Sequence, residues 1–415
     1  MTALSANFTT LPVEAVGPGI APIPPLTMAA FACTSDVAGT LLAMQASRHM
    51  ARVKSSVYQG GLDGAMQLCT HEGAPQLLVI ETDAETGPLL GQLEALAELC
   101  DPETRVLLIG GSNDIRLYRE LMRQGISDYL PRPVTPEQIL RSISDIFSQP
   151  GAVAKGAVTA CLGTSGGVGS STVALNTAWL LGQKRHGVVN LVDLDLDFGT
   201  AGLSLALEGG RGIAEALAAG ENLDGQLLDG LFDSYDAHLR VLTTPDGSVL
   251  TTEPTVEVLD HLTDLARSGG HRVVLDLPGF GNALTRQAVK SADHVIVTTT
   301  PDLAGLKNSR KLLELIAEMR PAEQRPMIVL NRQGMAKKQE ISAKDFAQTL
   351  GIELTATLGF DPKGFIHATN LGKVHASTAA GKAVATALQP LVAALGNPAA
   401  APAVVAKPLL SRLLR

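Results

Sequence analysis

Aromatic residues and cysteines are scarce in this chain of 415 residues, and their scarcity excludes several functional classes. Phenylalanine, tryptophan and tyrosine make up only 3% of the sequence, too few for the aromatic platforms on which single-stranded nucleic acids stack. The four cysteines, Cys33, Cys69, Cys100 and Cys161, form no CxxC pair and have no histidine cluster beside them. They predict thiols in a reducing compartment, with neither a disulfide framework nor a zinc site.

An excess of positive charge and long apolar runs are also missing. The chain has 33 basic and 41 acidic residues, a net charge of −8, which argues against a general nucleic-acid-binding protein. The first basic residue is Arg48, so the start lacks the positive region of a secretory signal. The longest uncharged run, 156–183, is interrupted by glycines, serines and threonines, which favours a strand, loop and helix over a bilayer span. We expect a cytoplasmic protein.

Apolar runs alternate with helix-like spacing over most of the chain, and this pattern predicts two α/β domains in tandem. Strands that alternate with helices are typical of a mostly parallel sheet covered on both faces. The predicted strands are Met28–Cys33, Leu77–Ile80 and Arg105–Ile109 in the first domain, and Ala157–Leu162, Val188–Val192, Arg272–Leu275, His294–Thr298 and Met327–Leu330 in the second. The predicted organisation is a flexible, proline-rich leader at 1–26, domains at 27–148 and 149–396, a linker at 397–407 and a short amphipathic tail at 408–415.

A glycine-rich loop lies between a predicted strand and a predicted helix in AVTACLGTSGGVGSSTVALNTAWLL. Gly166, Gly167 and Gly169 allow successive backbone N–H groups to turn towards an anion, and the start of the helix adds partial positive charge. A phosphate-binding P-loop also needs a lysine before its serine or threonine. Ser170 stands at that position, followed by Ser171. The loop alone leaves open a second reading, a tight turn without a ligand.

Carboxylates follow two of the predicted buried strands. Asp193, Asp195 and Asp197 alternate in VVNLVDLDLDFGT, and Asp276 ends the strand in RVVLDLPGF. Because the carboxyl ends of parallel strands meet at one edge of a sheet, these acids are expected near the loop, where phosphoryl-transfer sites hold magnesium and the attacking water. The alternative is that they are ordinary acidic residues at strand ends without a functional role. This explains any one of them but explains the set poorly.

Five motifs occur in a fixed order, namely TSGGVGSST, VDLDLDFGTAGL, VVLDLPG, TTPDLAGLKNSRKLL and VLNRQGM. Together they resemble the ParA/MinD family of deviant Walker-A ATPases, and more closely its TadZ/CpaE branch, which serves assembly of tight-adherence (Tad, or Flp-type) pili. The resemblance extends over 27–395, since that branch carries a receiver-like domain ahead of its ATPase-like domain. It implies an α/β fold with two tandem doubly wound domains, a flavodoxin-like pseudo-receiver followed by a P-loop domain with a parallel sheet.

The resemblance also implies a site for ATP or ADP with Mg²⁺. The nucleotide-binding positions that it matches are Gly166, Gly167, Val168, Gly169, Ser170, Ser171, Thr172 and Asn331. Ser171, Asp193 and Asp276 match positions associated with the metal. Asp195 matches the switch I aspartate near the attacking water and is the candidate catalytic residue. The loop with Pro301 and Asp302 matches one that family dimers place close to the nucleotide.

Both lysines of the family's loop are replaced in this sequence. Ser165 stands where the family has a lysine that reaches the partner's nucleotide, and Ser170 stands where a second lysine holds the phosphates of its own subunit. A hydrogen bond to a charged group contributes ~1.5–3 kcal/mol, so the loss of two predicts nucleotide binding weakened by roughly 10²–10⁴-fold. Efficient hydrolysis is not expected. Lys155, Lys184 and Arg185 are the basic residues considered as compensating cations, and none has the spacing that would nominate it.

The stretch GISDYLPRPVTPEQIL resembles the last part of a response-regulator receiver, with Arg132 in place of the conserved lysine and an Arg132–Pro133 bond expected to be cis. Glu81 stands at the phosphoacceptor position, and Cys33 and Thr34 replace the acidic pair that holds magnesium. Aspartyl phosphorylation needs a nucleophilic carboxylate, metal-binding acids and a lysine. We therefore predict a pseudo-receiver used for dimerisation or docking; a spacer without a partner is the alternative.

The tail PLLSRLLR predicts a short helix with one apolar stripe and basic residues around it. The residues of this tail are Leu409, Leu410, Arg412, Leu413 and Leu414. A tethered, basic, leucine-rich end suits a bilayer interface and resembles the membrane-targeting helix of MinD. A frayed end, or a helix docked on a partner protein, is an equal alternative.

The predicted function is an assembly and localisation factor for Tad pilus biogenesis, non-enzymatic or nearly so. It is expected to form a homodimer and to recruit the Tad secretion ATPase and inner-membrane platform proteins at the cytoplasmic face of the inner membrane, with a polar position as one option. Specific nucleic-acid binding is not expected. The alternatives are an active, ATP-hydrolysing positioning ATPase and a phosphorelay response regulator that uses Glu81.

Overall fold

The computed structural model describes Ile20 and residues 23–83, 86–147, 155–185, 187–207, 212–244, 254–320 and 325–396. The chain divides into two compact units, Met1–Lys155 with Ala317–Glu323, and Gly156–Ile316 with Gln324–Arg415, and each is described by itself. The predicted boundary at 148/149, the linker at 397–407 and the tail that carries Leu409, Leu410, Arg412, Leu413 and Leu414 lie outside the described residues.

The first unit contains a five-stranded parallel sheet. Its strands are β1 (Leu26–Ala32), β2 (Val53–Gln59), β3 (Leu77–Thr82), β4 (Arg105–Gly110) and β5 (Asp128–Pro131). Their order across the sheet is β2-β1-β3-β4-β5, which is the order of flavodoxin-like doubly wound folds. Because β1, β3 and β4 lie in the interior of the sheet and are covered on both faces, their sequences are continuous apolar runs.

Helices cover both faces of this sheet. They are α1 (Ser35–Gln45), α2 (Gly61–Glu72), α3 (Thr86–Ala97), α4 (Ile115–Arg123) and α5 (Pro136–Phe147). A hydrophobic core lies on each face of the sheet, and alternate strand residues point into one or the other. Phe31 belongs to one core and Met28 to the other, as the period of two in a strand requires.

The predicted leader at 1–26 differs from the structure at its last residues. Ile23 is 1% exposed and joins the core of the first unit, and Leu26 already begins β1. The reason is that both residues carry apolar surface directly before a buried strand, and burial of that surface is favourable. Pro24 and Pro25 between them are tolerated because they precede the strand.

The second unit contains an eight-stranded sheet in the order β13-β12-β11-β6-β10-β7-β9-β8. Its strands are β6 (Val158–Gly163), β7 (Val189–Asp193), β8 (Asp233–Ser234), β9 (Leu239–Leu242), β10 (Arg272–Asp276), β11 (His294–Thr299), β12 (Met327–Gln333) and β13 (Leu354–Gly359). All neighbours pair in parallel except the short β8, which is antiparallel to β9. The predicted fold class, two tandem doubly wound α/β units, is confirmed.

Helices follow most strands of this second sheet. They are α6 (Ser170–Arg185), α7 (Ala201–Ser204), α8 (Gly212–Ala219), α9 (Gly225–Leu231), α10 (Val256–Ala266), α11 (Ala283–Ser291), α12 (Leu303–Met319), α13 (Ala343–Leu350), α14 (Pro362–Asn370), α15 (Lys382–Ala387) and α16 (Gln389–Gly396). Helix α6 lies against the sheet, and its buried residues share one core with β7 and β10. Each helix in the described part of the chain is too short or too polar to span a bilayer.

Candidate functional site

The glycine-rich loop connects β6 to α6 near the middle of the eight-stranded sheet, at the carboxyl end of the strands. Gly167 and Gly169 have φ angles of 78° and 92°, a region that glycine adopts without strain. A Cβ at Gly169 would collide with the side-chain amide of Asn331. The loop therefore has the backbone conformation and the close approach that a phosphate-binding turn needs.

Asn331, which the resemblance assigns to the base, holds the loop in this structure. It is 7% exposed, and its Nδ2 donates to the carbonyl oxygen of Val168 at 2.8 Å. Its Oδ1 accepts from the backbone N–H of Arg332 at 2.9 Å. Both polar atoms are thus used inside the protein, which makes Asn331 a positioning residue for the loop; a contact with the base stays a prediction.

Ser171 and Asp276 meet at the edge of the sheet beside the loop. Asp276 ends β10, is 4% exposed and interacts with the Ser171 hydroxyl. Burial first, and the negative charge of Asp193 second, raise the pKa of Asp276 to about 8. Its Oδ1 is buried and has no hydrogen-bond partner among the described residues. Such an oxygen is costly in a folded protein unless a ligand satisfies it.

Asp193 pairs with Asp276 in register across β7 and β10, but its carboxylate is already occupied. Its oxygens accept from the backbone N–H groups of Asp195 at 3.1 Å and Ala201 at 3.2 Å. Burial raises the pKa of Asp193 to about 6. The side chain therefore shapes the turn that follows β7, and a direct role at the metal stays a prediction.

Asp195 and Asp197 lie in the same turn. The carboxylate of Asp195 accepts from the backbone N–H of Phe198 at 3.1 Å, and its carbonyl oxygen accepts from the Thr244 hydroxyl at 3.2 Å. Asp197 is exposed to solvent. Asp195 thus helps to hold the turn that follows β7, and its catalytic role stays a prediction.

Mg²⁺ fits the pair of Ser171 and Asp276. A hydroxyl and an unpaired carboxylate oxygen are donors that Mg²⁺ prefers, and this ion usually keeps several water or phosphate ligands besides one or two protein oxygens. Among the described residues no three acidic, histidine or cysteine side chains are grouped to hold a metal by themselves. The two oxygens therefore suit a Mg²⁺ that arrives with phosphates, and such an ion would neutralise a carboxylate that burial disfavours.

The positions of the missing lysines contain only hydroxyls, and the basic residues weighed from sequence are far away. Ser165 is exposed at the loop, and Ser170 begins α6. Lys184 and Arg185 end α6, and at 1.5 Å per residue Lys184 lies about 20 Å from the start of that helix. Lys155 precedes β6, whose other end carries the loop.

The loop with Pro301 and Asp302 is tied to the start of the glycine-rich loop. Asn308 on α12 donates its side-chain amide to the carbonyl oxygen of Thr164 at 3.2 Å. Asp302 accepts from the backbone N–H of Gly305 at 2.7 Å and so begins α12. The structure thus places this segment beside the phosphate loop of the same chain.

A cavity opens between the first turn of α6, helix α7 and helix α14. Ser171, Thr172 and Asp276 line it together with Asn176, Thr200, Ser204, Phe365, Thr369, Lys373 and His375, among others. Sequence analysis missed Lys373 and His375. Their only signal was a basic segment, NLGKVH, in the stretch that follows the last strand.

Glu81 and Arg132 form an ion pair in the first unit. Glu81 is 0% exposed, and one of its oxygens accepts from the backbone N–H groups of Cys33 at 2.7 Å and Thr34 at 2.8 Å. The other accepts from the Thr34 hydroxyl at 2.8 Å and from Nη1 of Arg132 at 2.9 Å. Since Thr34 precedes α1, the carboxylate also lies at the positive end of a helix. Every acceptor oxygen of Glu81 is satisfied within the protein.

The guanidinium of Arg132 closes the cluster on the side opposite the backbone donors. Its guanidinium bonds Glu81 and also contacts Asp83, and the Arg132–Pro133 bond is cis, as predicted. A Cβ at Gly111 would lie 2.9 Å from Nη2 of Arg132, so the glycine makes room for the guanidinium. Glu81 and Arg132 thus form one closed cluster, and their match to receiver positions stays a prediction.

The chain was compared with known proteins. No family model matches it. Among curated proteins, the chromosome-partitioning ATPase Soj of Thermus thermophilus is 32% identical over 160 residues, which are 37% of this chain and 59% of Soj. The chain thus spans less than two thirds of Soj. The septum site-determining protein MinD of Escherichia coli is 26% identical over 243 residues, 55% of this chain and 87% of MinD.

Solved structures add two matches. A ParA family ATPase from Chlorobium tepidum is 22% identical, with 56% of this chain and 99% of that chain covered at a TM-score of 0.51; it shows the fold. The pilus assembly protein CpaE from Caulobacter crescentus is 37% identical, with 31% of this chain and 98% of that chain covered and a TM-score of 0.31. This sequence identity extends over nearly the whole of the solved CpaE chain, and the Soj and MinD likenesses extend over 37% and 55% of this chain.

The chain is a CpaE-type member of the ParA/MinD family. The family predicted from the ordered motifs is thereby confirmed. The roles of single residues in the glycine-rich loop stay predictions. The same holds at Ser171 and Asp276, the pair that we call the metal edge.

Proposed function

We propose that this CpaE-type chain is an assembly and localisation factor for Tad pilus biogenesis that hydrolyses ATP slowly or not at all. One observation carries the proposal. The phosphate loop keeps its glycine backbone but has Ser165 and Ser170 where cations belong. Transition-state charge in phosphoryl transfer is met mainly by cations, so turnover suffers more than binding when they are lost.

Nucleotide binding is retained in a weakened form in this proposal. The glycines and the first turn of α6 offer backbone N–H groups to phosphate, and Ser171 with Asp276 offers oxygens to Mg²⁺. ATP or ADP with Mg²⁺ is thus the proposed ligand. When bound, the metal would supply positive charge to the phosphates, and the chain's own residues would position the nucleotide.

The chain is further proposed to dimerise through the edge of the sheet that carries the loop. Two large apolar side chains at that edge support this, because Phe198 is 82% exposed and Leu303 is 77% exposed. Apolar side chains in such positions favour an interface. Light scattering at several protein concentrations tests it: the double variant Phe198→Ser with Leu303→Ser should lower the dimer fraction, while Lys184→Ser at the far end of α6 should leave it unchanged.

Recruitment of the Tad secretion ATPase and inner-membrane platform proteins is the proposed task of the dimer. Attachment to the cytoplasmic face of the inner membrane, with a polar position as one option, is assigned to the tail residues Leu409, Leu410, Arg412, Leu413 and Leu414. Two short tails on one dimer would bind a bilayer better than one, through effective concentration. Flotation with anionic vesicles, with and without residues 408–415, tests the membrane part.

For the first unit we propose a pseudo-receiver used for docking. The support is the saturation of Glu81 by two backbone donors, Thr34 and Arg132, which leaves it no free oxygen for phosphoryl transfer. Incubation with radiolabelled acetyl phosphate should leave the protein unlabelled. Labelling that disappears in Glu81→Gln would instead support the phosphorelay alternative.

The rival is an active positioning ATPase, and the intact metal edge at Ser171 and Asp276 favours it. Titration calorimetry with Mg-ATP, followed by a phosphate-release assay, separates the two. We expect weak binding and little turnover. Turnover comparable to that of lysine-bearing relatives, abolished by Asp195→Ala, would overturn the scaffold proposal.

A further inference from the structure

One basic side chain lines the cavity beside the metal edge. Lys373 shares the wall of this cavity with Ser171, Thr172 and Asp276. Ser171 and Thr172 belong to the first turn of α6, where phosphates are proposed to bind. The cavity therefore brings a lysine near the proposed phosphate site, where serines replace the two lysines of the family's loop.

The segment that carries Lys373 is fixed to the start of α6. The backbone N–H of Ala376 donates to Oδ1 of Asn176 at 2.8 Å, and Nδ2 of Asn176 donates to the carbonyl oxygen of Thr172 at 2.7 Å. The backbone N–H of Lys373 itself donates to the carbonyl oxygen of Ala368 at 2.9 Å. These bonds fix the backbone at Lys373 relative to the first turn of α6, and the side chain extends from that fixed point.

Gly372 brings the segment close to α7. Its φ is 62°, and a Cβ there would lie 2.6 Å from the Cβ of Ala206 and 3.1 Å from the carbonyl oxygen of Leu205. Only glycine permits both the conformation and the approach. The backbone at Gly372 thus lies close to Leu205 and Ala206, which follow α7. Lys373 is the next residue.

His375 is a second polar group in the same wall. It is 2% exposed, and neither ring nitrogen has a hydrogen-bond partner among the described residues, although Nε2 lies 3.4 Å from a carboxylate oxygen of Asp361. The ring packs on Phe365 with centroids 4.1 Å apart. Burial lowers the pKa of His375. Near neutral pH it therefore offers an uncharged ring, and the positive charge in this wall comes from Lys373.

No described residue neutralises the ammonium of Lys373. Within the described residues it has no ion pair and no side-chain hydrogen bond. The acidic side chain in the lining of the cavity is Asp276, a predicted partner of Mg²⁺. A flexible lysine with an unused charge is suited to an anion that enters this space.

We propose that Lys373 supplies, from the far end of the chain, the positive charge to the phosphates of Mg-ATP that Ser165 and Ser170 no longer provide. This inference rests on the proposed binding of nucleotide. It assigns to Lys373 a direct contact with the terminal phosphate, and it makes the residue a determinant of selectivity for triphosphate over monophosphate.

The test is titration of the full chain with Mg-ATP, Mg-ADP and AMP in the wild type and three variants. Lys373→Ala should weaken Mg-ATP binding about 10–100-fold, the range for one lost bond to a charged group, and leave AMP binding unchanged. Lys373→Arg keeps the charge and should restore most of the affinity. Lys363→Ala, on the exposed side of α14 and outside the lining, should stay within about twofold of the wild type. The fluorescence of Trp179, on α6, checks that each variant is folded.

The outcomes separate this inference from the proposed function. Equal Mg-ATP affinity in Lys373→Ala and the wild type would overturn the role of Lys373 and leave nucleotide binding intact. A parallel loss for ATP and AMP would also overturn it, since that pattern indicates a structural effect. If the wild type binds no nucleotide at millimolar concentration, both the Lys373 contact and nucleotide binding are wrong, while the pilus-assembly role remains to be judged by partner recruitment.

Discussion

Glu81 in the first unit and Asp276 in the second lie in the last two residues of interior strands of their sheets, and both are buried, yet their surroundings differ. Four donors from this same chain satisfy the oxygens of Glu81. Asp276 has one oxygen without a partner among the described residues and a pKa raised to about 8. Both oxygens of Glu81 thus have hydrogen-bond donors within the chain, whereas one oxygen of Asp276 has none among the described residues.

The difference teaches that a buried carboxylate at the end of a strand can be satisfied in two ways. In the first unit Thr34 and Arg132 supply internal donors to Glu81, so this carboxylate needs no ligand. In the second unit one oxygen of Asp276 has no partner among the described residues, and the nearby loop has serines at 165 and 170. The first carboxylate is therefore a structural group, whereas the second has an oxygen that a ligand could use.

Among single substitutions, the largest expected effect is loss of the Glu81 cluster. Glu81→Ala leaves the guanidinium of Arg132 and two backbone N–H groups without their acceptor, and removal of one partner of a buried ion pair costs about 3–5 kcal/mol. Urea unfolding monitored by far-UV circular dichroism should show this loss in the unfolding transition of the first unit. Trp179 lies in the second unit, so its fluorescence transition should not move.

Glu137→Ala is the matched control, because its pair with Arg141 is a surface pair on one helix and such pairs contribute little. If Glu81→Ala costs no more than this control, Glu81 is not a structural centre and the contrast between the two units fails.

Next in size is the return of one cation to the phosphate loop. Ser170→Lys places an ammonium at the start of α6 and should tighten Mg-ATP binding about 10–100-fold, measured by calorimetry. Gln183→Lys adds the same charge at the exposed far end of the helix and should change the affinity by less than about twofold. Equal effects of the two would mean that net charge, rather than its position, sets the affinity.

The pH dependence of the second unit should reveal the unsatisfied carboxylate. The folded pKa of Asp276, about 8, lies above its value of about 3.9 in an unfolded chain, so the folded state binds more protons between these values. Stability should therefore fall as the pH rises from about 4 to about 8, by at most ~1.4 kcal/mol per pH unit for this group. Urea unfolding monitored by Trp179 in the presence of EDTA measures it.

Asp276→Asn cannot ionise and should reduce that slope most between about pH 6 and 8, because Asp193, with its pKa raised to about 6, also contributes below pH 6. Asp197→Asn, at an exposed position in the turn that follows β7, should preserve the slope. An unchanged slope in Asp276→Asn would show that other groups determine the pH response.

The smallest effect is expected at the outer edge of the Glu81 cluster. Asp83 also contacts Arg132, but its side chain is 57% exposed, so Asp83→Ala should cost less than about 1 kcal/mol in the far-UV unfolding curve. A cost as large as that of Glu81→Ala would mean that the exposed Asp83 contributes as much to the stability of the cluster as the buried Glu81.

Sequence patterns predicted the interior of both sheets well. Each of the eight predicted strands starts within two residues of an observed one, because continuous apolar runs identify strands buried on both faces. Edge and outer strands were not predicted. β2 reads VKSSVYQ, and only Val57 of it is buried, so its pattern resembles that of a surface segment.

The candidate sites were predictable where a side chain has a motif of its own. The loop, Asp276, Glu81 and Arg132 follow from ordered motifs. The partners of Glu81 are partly backbone N–H groups, which have no signature in a sequence. Lys373 reaches the same cavity as Ser171 only because a distant segment folds back against α6, and no local pattern indicates that contact.

The closed cluster around Glu81 also limits which side chain this position can accept. Aspartate is one methylene shorter than glutamate, so Glu81→Asp withdraws the carboxylate oxygens from their donors on Cys33, Thr34 and Arg132. A different side chain at residue 81 would therefore need matching changes at the positions that donate to it. The tight fit of this cluster thus makes the inside of the first unit one of the parts of the chain least tolerant of variation.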